Sequence, residues 1–153
     1  MSKIMDRPIF LKAASYCAYQ ERTQDEVRQR LKDWNVWGDE AEEIISELIT
    51  ENFLNEERFA KVFAGSKFRV KKWGRRKIMF ELKKRRISDY CIKMGMGEID
   101  DEAYYETLKT LIDKKKHDYR QEENEYKLNQ KVAQFLTGKG FESGLIWEIL
   151  REG

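Results

Sequence analysis

The sequence holds one proline, one histidine, two cysteines and nine glycines in 153 residues. So few breakers point to helices with short connections. Cys17 and Cys91 stand far apart, each inside an apolar pattern. They read as buried thiols in a reducing cytosol, not as a disulfide or a metal pair. His117 falls in the charged run KKKHDYR, a solvated position without the spacing of a zinc site. No apolar run is long enough to span a bilayer. The start, MSKIMDRPIFLK, lacks the apolar core and cleavage site of a secretory signal, so a cytoplasmic protein with no membrane segment is expected. A Gly-rich phosphate loop and an activated nucleophile are also missing. Gly95 to Gly97 reads as a helix end, and Asp100 and Asp101 as the capped start of the next helix. Neither an enzyme nor a metal or cofactor is expected.

What the chain has is charge: 38% of residues are charged, although the net is only +2. The signs are segregated. Gln20 to Glu57 carries twelve acids against four bases, a net of −8, whereas Lys61 to Lys93 carries thirteen bases against two acids, a net of +11. A basic block beside an acidic one creates a strong local field in a nearly neutral molecule. A hydrophobic content of 41% is enough to build cores. The mean hydropathy of −0.80 suggests an elongated shape with much surface.

Beneath the charge lies a repeat. Val27, Leu31, Val36 and Ala41 recur as Ile78, Leu82, Ile87 and Ile92, and again as Val132, Leu136, Phe141 and Ile146. Each set steps by four, five and five residues. The step of four keeps two side chains on one helical face, and the next step of five crosses a short turn into another helix. An aromatic-rich helical pattern precedes each pair: Ile9, Tyr16 and Tyr19; Phe59, Phe63 and Val70; Tyr104, Tyr105, Leu108 and Leu111. Pro8 suits a helix start, TQDE at Thr23–Glu26 has the form of a capping box, and Gly74 marks a break. The reading is an all-α chain of three tandem three-helix, helix-turn-helix-like repeats, at 8–54, 55–97 and 98–153. Units this small need stacked neighbours, so an elongated, curved array is expected. The polar segment His117–Lys127 either extends a helix of the third unit or loosens a loop.

The candidate site is the basic stretch KFRVKKWGRRKIMFELKKRR, Lys67 to Arg86, with eleven bases and one acid, Glu81. On a helical wheel Ile78, Met79 and Leu82 share the inner side. Arg76, Lys77, Lys83 and Lys84 spread opposite, with Phe80 among them. Lys67, Arg69, Lys71 and Lys72 lie just upstream. Charges of one sign at this density call for an anion: a phosphate backbone first, an acidic protein groove second. Trp73 and Phe80 either stack on bases or pack between repeats, and packing is favoured. A sequence-specific repressor is disfavoured, because the third helix of the basic unit, SDYCIKMGM, has Lys93 as its only base, and that of the first unit, DEAEEIISELITE, is acidic.

LNEERFAKVFAGSKFRVKKWGRRKIMFELKKRRI, Leu54 to Ile87, resembles the signature of the bacterial RecX family. The matching residues are Glu56, Glu57, Arg58, Phe59, Ala60, the basic run Lys67 to Lys72, Gly74, Arg75, Arg76, Ile78, Leu82 and Ile87. The first unit resembles it through Tyr16, Arg22, Thr23, Glu26, Val27, Leu31, Ile44, Ile45 and Leu48, the third through its apolar skeleton. The resemblance implies tandem three-helix repeats in a regulatory protein that binds the RecA recombinase. Such a protein lies along the groove of the RecA–DNA filament, where it hinders growth and lowers ATP hydrolysis, strand exchange and co-protease activity. It thereby implies DNA repair, recombination and the SOS response. The expected partners are the RecA filament and DNA, single-stranded within the filament, for a monomer that contacts them through Lys67, Arg69, Lys71, Lys72, Arg75, Arg76, Lys77, Lys83 and Lys84. Arg75 and Arg76 are expected nearest the turn. The alternative is a free-standing helical nucleic-acid-binding module. Two features depart from the family: the polar insertion in the third unit, and the glycine that commonly precedes the closing hydrophobic residue of each unit. Gly140 keeps it, but Asn35 and Arg86 stand there in the first two units. The turn at Arg86 is therefore the one expected to differ.

Overall fold

The structure, a computed structural model, describes residues 6–152. The reading of the extreme start, 1–5, lies outside the described residues. Nine α-helices and no strand occur among the described residues. The first unit is α1 (Arg7–Tyr19), α2 (Gln24–Asp33) and α3 (Gly38–Thr50). The second is α4 (Glu56–Arg69), α5 (Arg75–Lys84) and α6 (Asp89–Met96). The third is α7 (Asp101–Asp118), α8 (Glu125–Gly138) and α9 (Ser143–Glu152). The polar segment therefore lengthens α7 and opens α8 around a short connection.

Local chemistry sets most helix starts. The Asp6 carboxylate accepts from the Ile9 N–H while Pro8 occupies the first turn of α1. Thr23 and Glu26 form the reciprocal capping box of α2. The side chains of Asn55, Ser88, Asp100 and Asn124 each accept one backbone N–H at the start of α4, α6, α7 and α8.

All twelve apolar residues of the repeat are buried, none more than 5% exposed. The three intra-unit turns have one geometry. The N–H groups of Val36, Ile87 and Phe141 reach back to the carbonyls of Leu31, Leu82 and Leu136 at 2.8, 3.2 and 3.1 Å. The residue before each has positive φ: 63° at Asn35, 62° at Arg86 and 101° at Gly140. This is the Schellman closure of a helix C-terminus. Arg86 thus makes the same turn as its counterparts, against expectation. A non-glycine residue there costs about 1–2 kcal/mol, and the burial of Ile87 on the following position holds it.

The expected aromatic faces are only partly internal. Phe59 and Tyr104 are buried, but Tyr19 and Val70 are exposed because they sit at helix ends, beyond the last inward turn. Cys17 is buried, and burial pushes its thiol up to about 11, whereas Cys91 is only half-buried. Where α4 crosses α6, a Cβ on Gly95 would come within 2.7 Å of the Ala60 backbone, so this glycine sets the closeness of the crossing as well as lying near the helix end.

The buried side chains form two clusters. One lies wholly in the first unit, around Phe10, Val27, Leu31, Ile44 and Leu48. The other runs through the second and third units together, from Phe59 and Ile78 to Tyr104, Phe141 and Leu150.

Candidate interaction surface of the middle unit

Helix α5 begins Arg75-Arg76-Lys77. Three cations at the positive end of a helix, with no acid in its first turn and no side-chain cap, are a local electrostatic misfit. The third unit resolves it. The N–H groups of Gly74 and Arg76 donate to the carbonyls of Lys139 and Gly140 at 2.8 and 2.9 Å, and that of Arg75 donates to the Tyr104 hydroxyl at 3.0 Å. Two of the donors that a helix normally leaves open are thereby filled from a turn more than sixty residues away, and a third from α7. The approach requires two glycines: a Cβ on Gly74 would fall 2.2 Å from the Gly140 carbonyl carbon, and one on Gly140 would fall 2.4 Å from the Lys77 Cβ. Asn35 and Arg86, at the equivalent turns, meet no such neighbour requirement.

Arg75 belongs to this junction. Its guanidinium lies 3.9 Å from the Tyr104 ring centroid and pairs with Asp101 at 2.5 Å and Glu142 at 3.4 Å. Tyr104 in turn donates to Glu142. Burial and the Glu142 carboxylate push the Tyr104 phenol well above its ordinary value, so it stays a donor. Among the cations expected to meet a partner, Arg75 is thus matched by two acids of the third unit.

Lys67, Arg69, Lys71, Lys72, Arg76, Lys77, Lys83 and Lys84 make no salt bridge with any carboxylate among the described residues. They fall into groups. Lys67 and Lys77 flank the Trp73 ring, with ammonium groups 4.9 and 4.4 Å from its centroid, and Phe63 meets its edge. Trp73 is thus half-buried, and these three neighbours all belong to its own unit. Arg76, Lys83 and Lys84 are exposed on the outer side of α5 with Phe80. Phe80 is 64% exposed, so it is not packed between units among the described residues. Arg69 folds back over Gly65. Lys71 and Lys72 sit in the α4–α5 connection, Lys72 beside Glu106 and Leu111 of α7.

The surrounding field is positive enough to act on the one acid inside it. The Arg85 hydrogen bond, with Lys84 and Lys77 nearby, holds the Glu81 carboxyl below its ordinary range. Sequence reasoning missed Lys139, whose ammonium reaches the Lys71 carbonyl at 3.4 Å, and Arg85, whose guanidinium lies over Phe63 at 4.8 Å. Arg85 could have been found from its i,i+4 spacing to Glu81. Nothing local to Lys139 signals its place.

The first unit joins this surface through polar contacts. Arg58 donates to Glu21 at 2.8 Å and to the carbonyls of Asn52 and Phe53. The Gln24 N–H donates to Glu56 at 2.9 Å, and Arg86 lies 3.4 Å from Asp25. Burial raises the Glu56 carboxyl, partly offset by that N–H.

No cluster of His, Cys, Asp and Glu able to hold a metal occurs among the described residues, and no helix there is long and apolar enough to cross a membrane. The chain matches the descriptions of three RecX three-helix domains: the first over residues 10–48, the second over 55–96 and the third over 101–150. It is similar to "Regulatory protein RecX" of Bacillus cytotoxicus, 29% identical over 143 residues that cover 94% of this chain and 53% of the relative. The same description in Bacillus cereus strain B4264 matches at 28% with the same coverage. The chain therefore spans about half the length of the curated relatives it matches. Among solved structures, RecX from Lactobacillus salivarius superposes with a TM-score of 0.85 at 26% identity, covering 95% of this chain and 94% of that one. A second structure, of "regulatory protein RecX", gives 0.81 at 25% identity, over 95% of this chain and 72% of that one.

Proposed function

The chain belongs to the RecX family, and from that premise we propose that it binds the RecA–DNA filament and inhibits the recombinase in DNA repair and recombination. The observation that carries this reading is the set of eight cations on α4, the α4–α5 connection and α5 that no carboxylate of the described chain neutralises. Crowded like charges raise the energy of the free protein, and an anionic partner relieves it. A filament offers phosphate along a groove, and an array of three units (8–54, 55–97 and 98–153) supplies a surface to lie in it. In this reading the protein acts as a monomer in the cytoplasm, with no catalytic step of its own. Arg76, Lys83 and Lys84 lead the contact, with Lys67, Arg69, Lys71, Lys72 and Lys77 beside them, while Arg75 holds the second unit to the third.

The test is DNA-dependent ATP hydrolysis by the cognate RecA, titrated with the protein and with a variant carrying Arg76→Glu, Lys83→Glu and Lys84→Glu. The protein is expected to lower the rate, and the variant, at unchanged helical content by circular dichroism, to leave it unaltered. Equal suppression by both would remove the site assignment; no suppression by the unaltered protein would remove the filament reading.

A further inference from the structure

Phe80 is the one large apolar side chain on the outer side of α5. Along that helix Arg76, Phe80, Lys83 and Lys84 fall within a sector of about 100° and along about 12 Å of axis. All four are exposed, and the three cations have no carboxylate partner among the described residues. No other ring and no cation rests on Phe80 there, in contrast to Phe63 and Trp73, each of which carries basic groups on its ring. A lone exposed phenylalanine is ordinary. One ringed only by unmatched cations is not, because the cations call for an anion and the ring presents an open π-face to whatever the anion is attached to.

We infer that this face of α5 is a stacking site for single-stranded nucleic acid, with one base lying on Phe80 and the adjoining phosphates held by Arg76, Lys83 and Lys84. The inference rests on the proposed nucleic-acid-facing role of the middle unit and adds strand preference to it. A duplex offers phosphates to the cations but keeps its base faces stacked on one another, so Phe80 contributes only to binding of a strand whose bases are free. The cations set affinity and salt dependence for both forms; the ring sets the difference between them.

The full chain, without recombinase, is titrated with a labelled thymidine oligonucleotide and with a duplex of equal length over a series of salt concentrations. Phe80→Leu, which keeps an apolar side chain but removes the π-face, is expected to weaken single-strand binding on the order of tenfold. Duplex affinity and the salt slope should stay where they were. Phe80→Trp should retain or exceed the original affinity. The double variant Lys83→Gln and Lys84→Gln should weaken both forms and lower the single-strand salt slope by about 1.4. Unchanged single-strand affinity in Phe80→Leu, an equal loss on both forms, or no single-strand binding by the unaltered protein each overturns the stacking site. None of these results bears on recombinase inhibition, which the ATP hydrolysis assay decides separately.

Discussion

Where the second unit meets the third, their buried side chains merge into one cluster, two backbones touch at Gly74 and Gly140, and a helix start is capped from across the boundary. Where the second unit meets the first, the apolar clusters stay separate, and the contacts are those of Arg58 with Glu21, Gln24 with Glu56 and Arg86 with Asp25. Three copies of one helical plan are thus joined in two ways. Shared apolar burial makes two units cooperative, because neither completes its core alone. Polar contacts at a partly exposed seam are worth little each, so the first unit keeps its own stability and can open separately.

The largest effect that sharpens this contrast comes from truncating equivalent core leucines. Leu31→Ala and Leu82→Ala, both at fully buried positions, should each cost about 3 kcal/mol in denaturant unfolding. Hydrogen exchange should separate them: lost protection confined to α1–α3 for Leu31→Ala, but spread over α4–α9 for Leu82→Ala. Protection lost everywhere in both variants would mean that the polar seam couples the units as strongly as the shared core.

Somewhat smaller is the effect of filling the backbone contact. Gly74→Ala puts a methyl group inside van der Waals distance of the Gly140 and Phe141 backbones and should destabilise by about 2–3 kcal/mol. The crystal structure of that variant should show the α8–α9 turn displaced from α5, with the first unit unchanged. If the turn stays docked and stability is unaltered, the close approach is not what joins these units.

Smaller again is the removal of one hydroxyl. Tyr104→Phe leaves the Arg75 N–H without its acceptor and removes the hydroxyl that donates to Glu142 Oε1, and should cost about 1–2 kcal/mol at neutral pH. The raised Tyr104 phenol adds a pH signature. The unfolded chain releases this proton near the ordinary value of 10.0 while the folded chain keeps it, so the stabilisation is complete below pH 10 and is lost as pH rises beyond it. The decline of stability above pH 10 should therefore be shallower in Tyr104→Phe. The matching change at the other seam, Arg58→Ala, should cost about 1 kcal/mol and show no such alkaline difference.

Much of the helical plan was legible because its causes are short-range. The step of four, five and five residues requires helix, turn and helix wherever it occurs, and Thr23, Asn55, Ser88 and Asp100 act on donors three residues away. The turn at Arg86 was misread from its residue type: burial of Ile87 outweighs the cost of the left-handed conformation. In the candidate site, the positive charge was visible in composition alone. Its division was not, since Arg75 and Arg76 are neighbours in the chain and differ only in what the third unit places beside them.

The sequence by itself determined three helical units, their buried faces and the separation of acidic from basic charge, since each follows from side chains a few positions apart. Only the tertiary structure decided which cations are matched and which are free, that α5 is capped by the Lys139–Gly140 turn, and that Phe80 is bare while Trp73 lies between two lysines. Those outcomes depend on groups such as Arg75 and Glu142, 67 positions apart in the chain. No local propensity or spacing brings such groups together; packing of the two units into one core does.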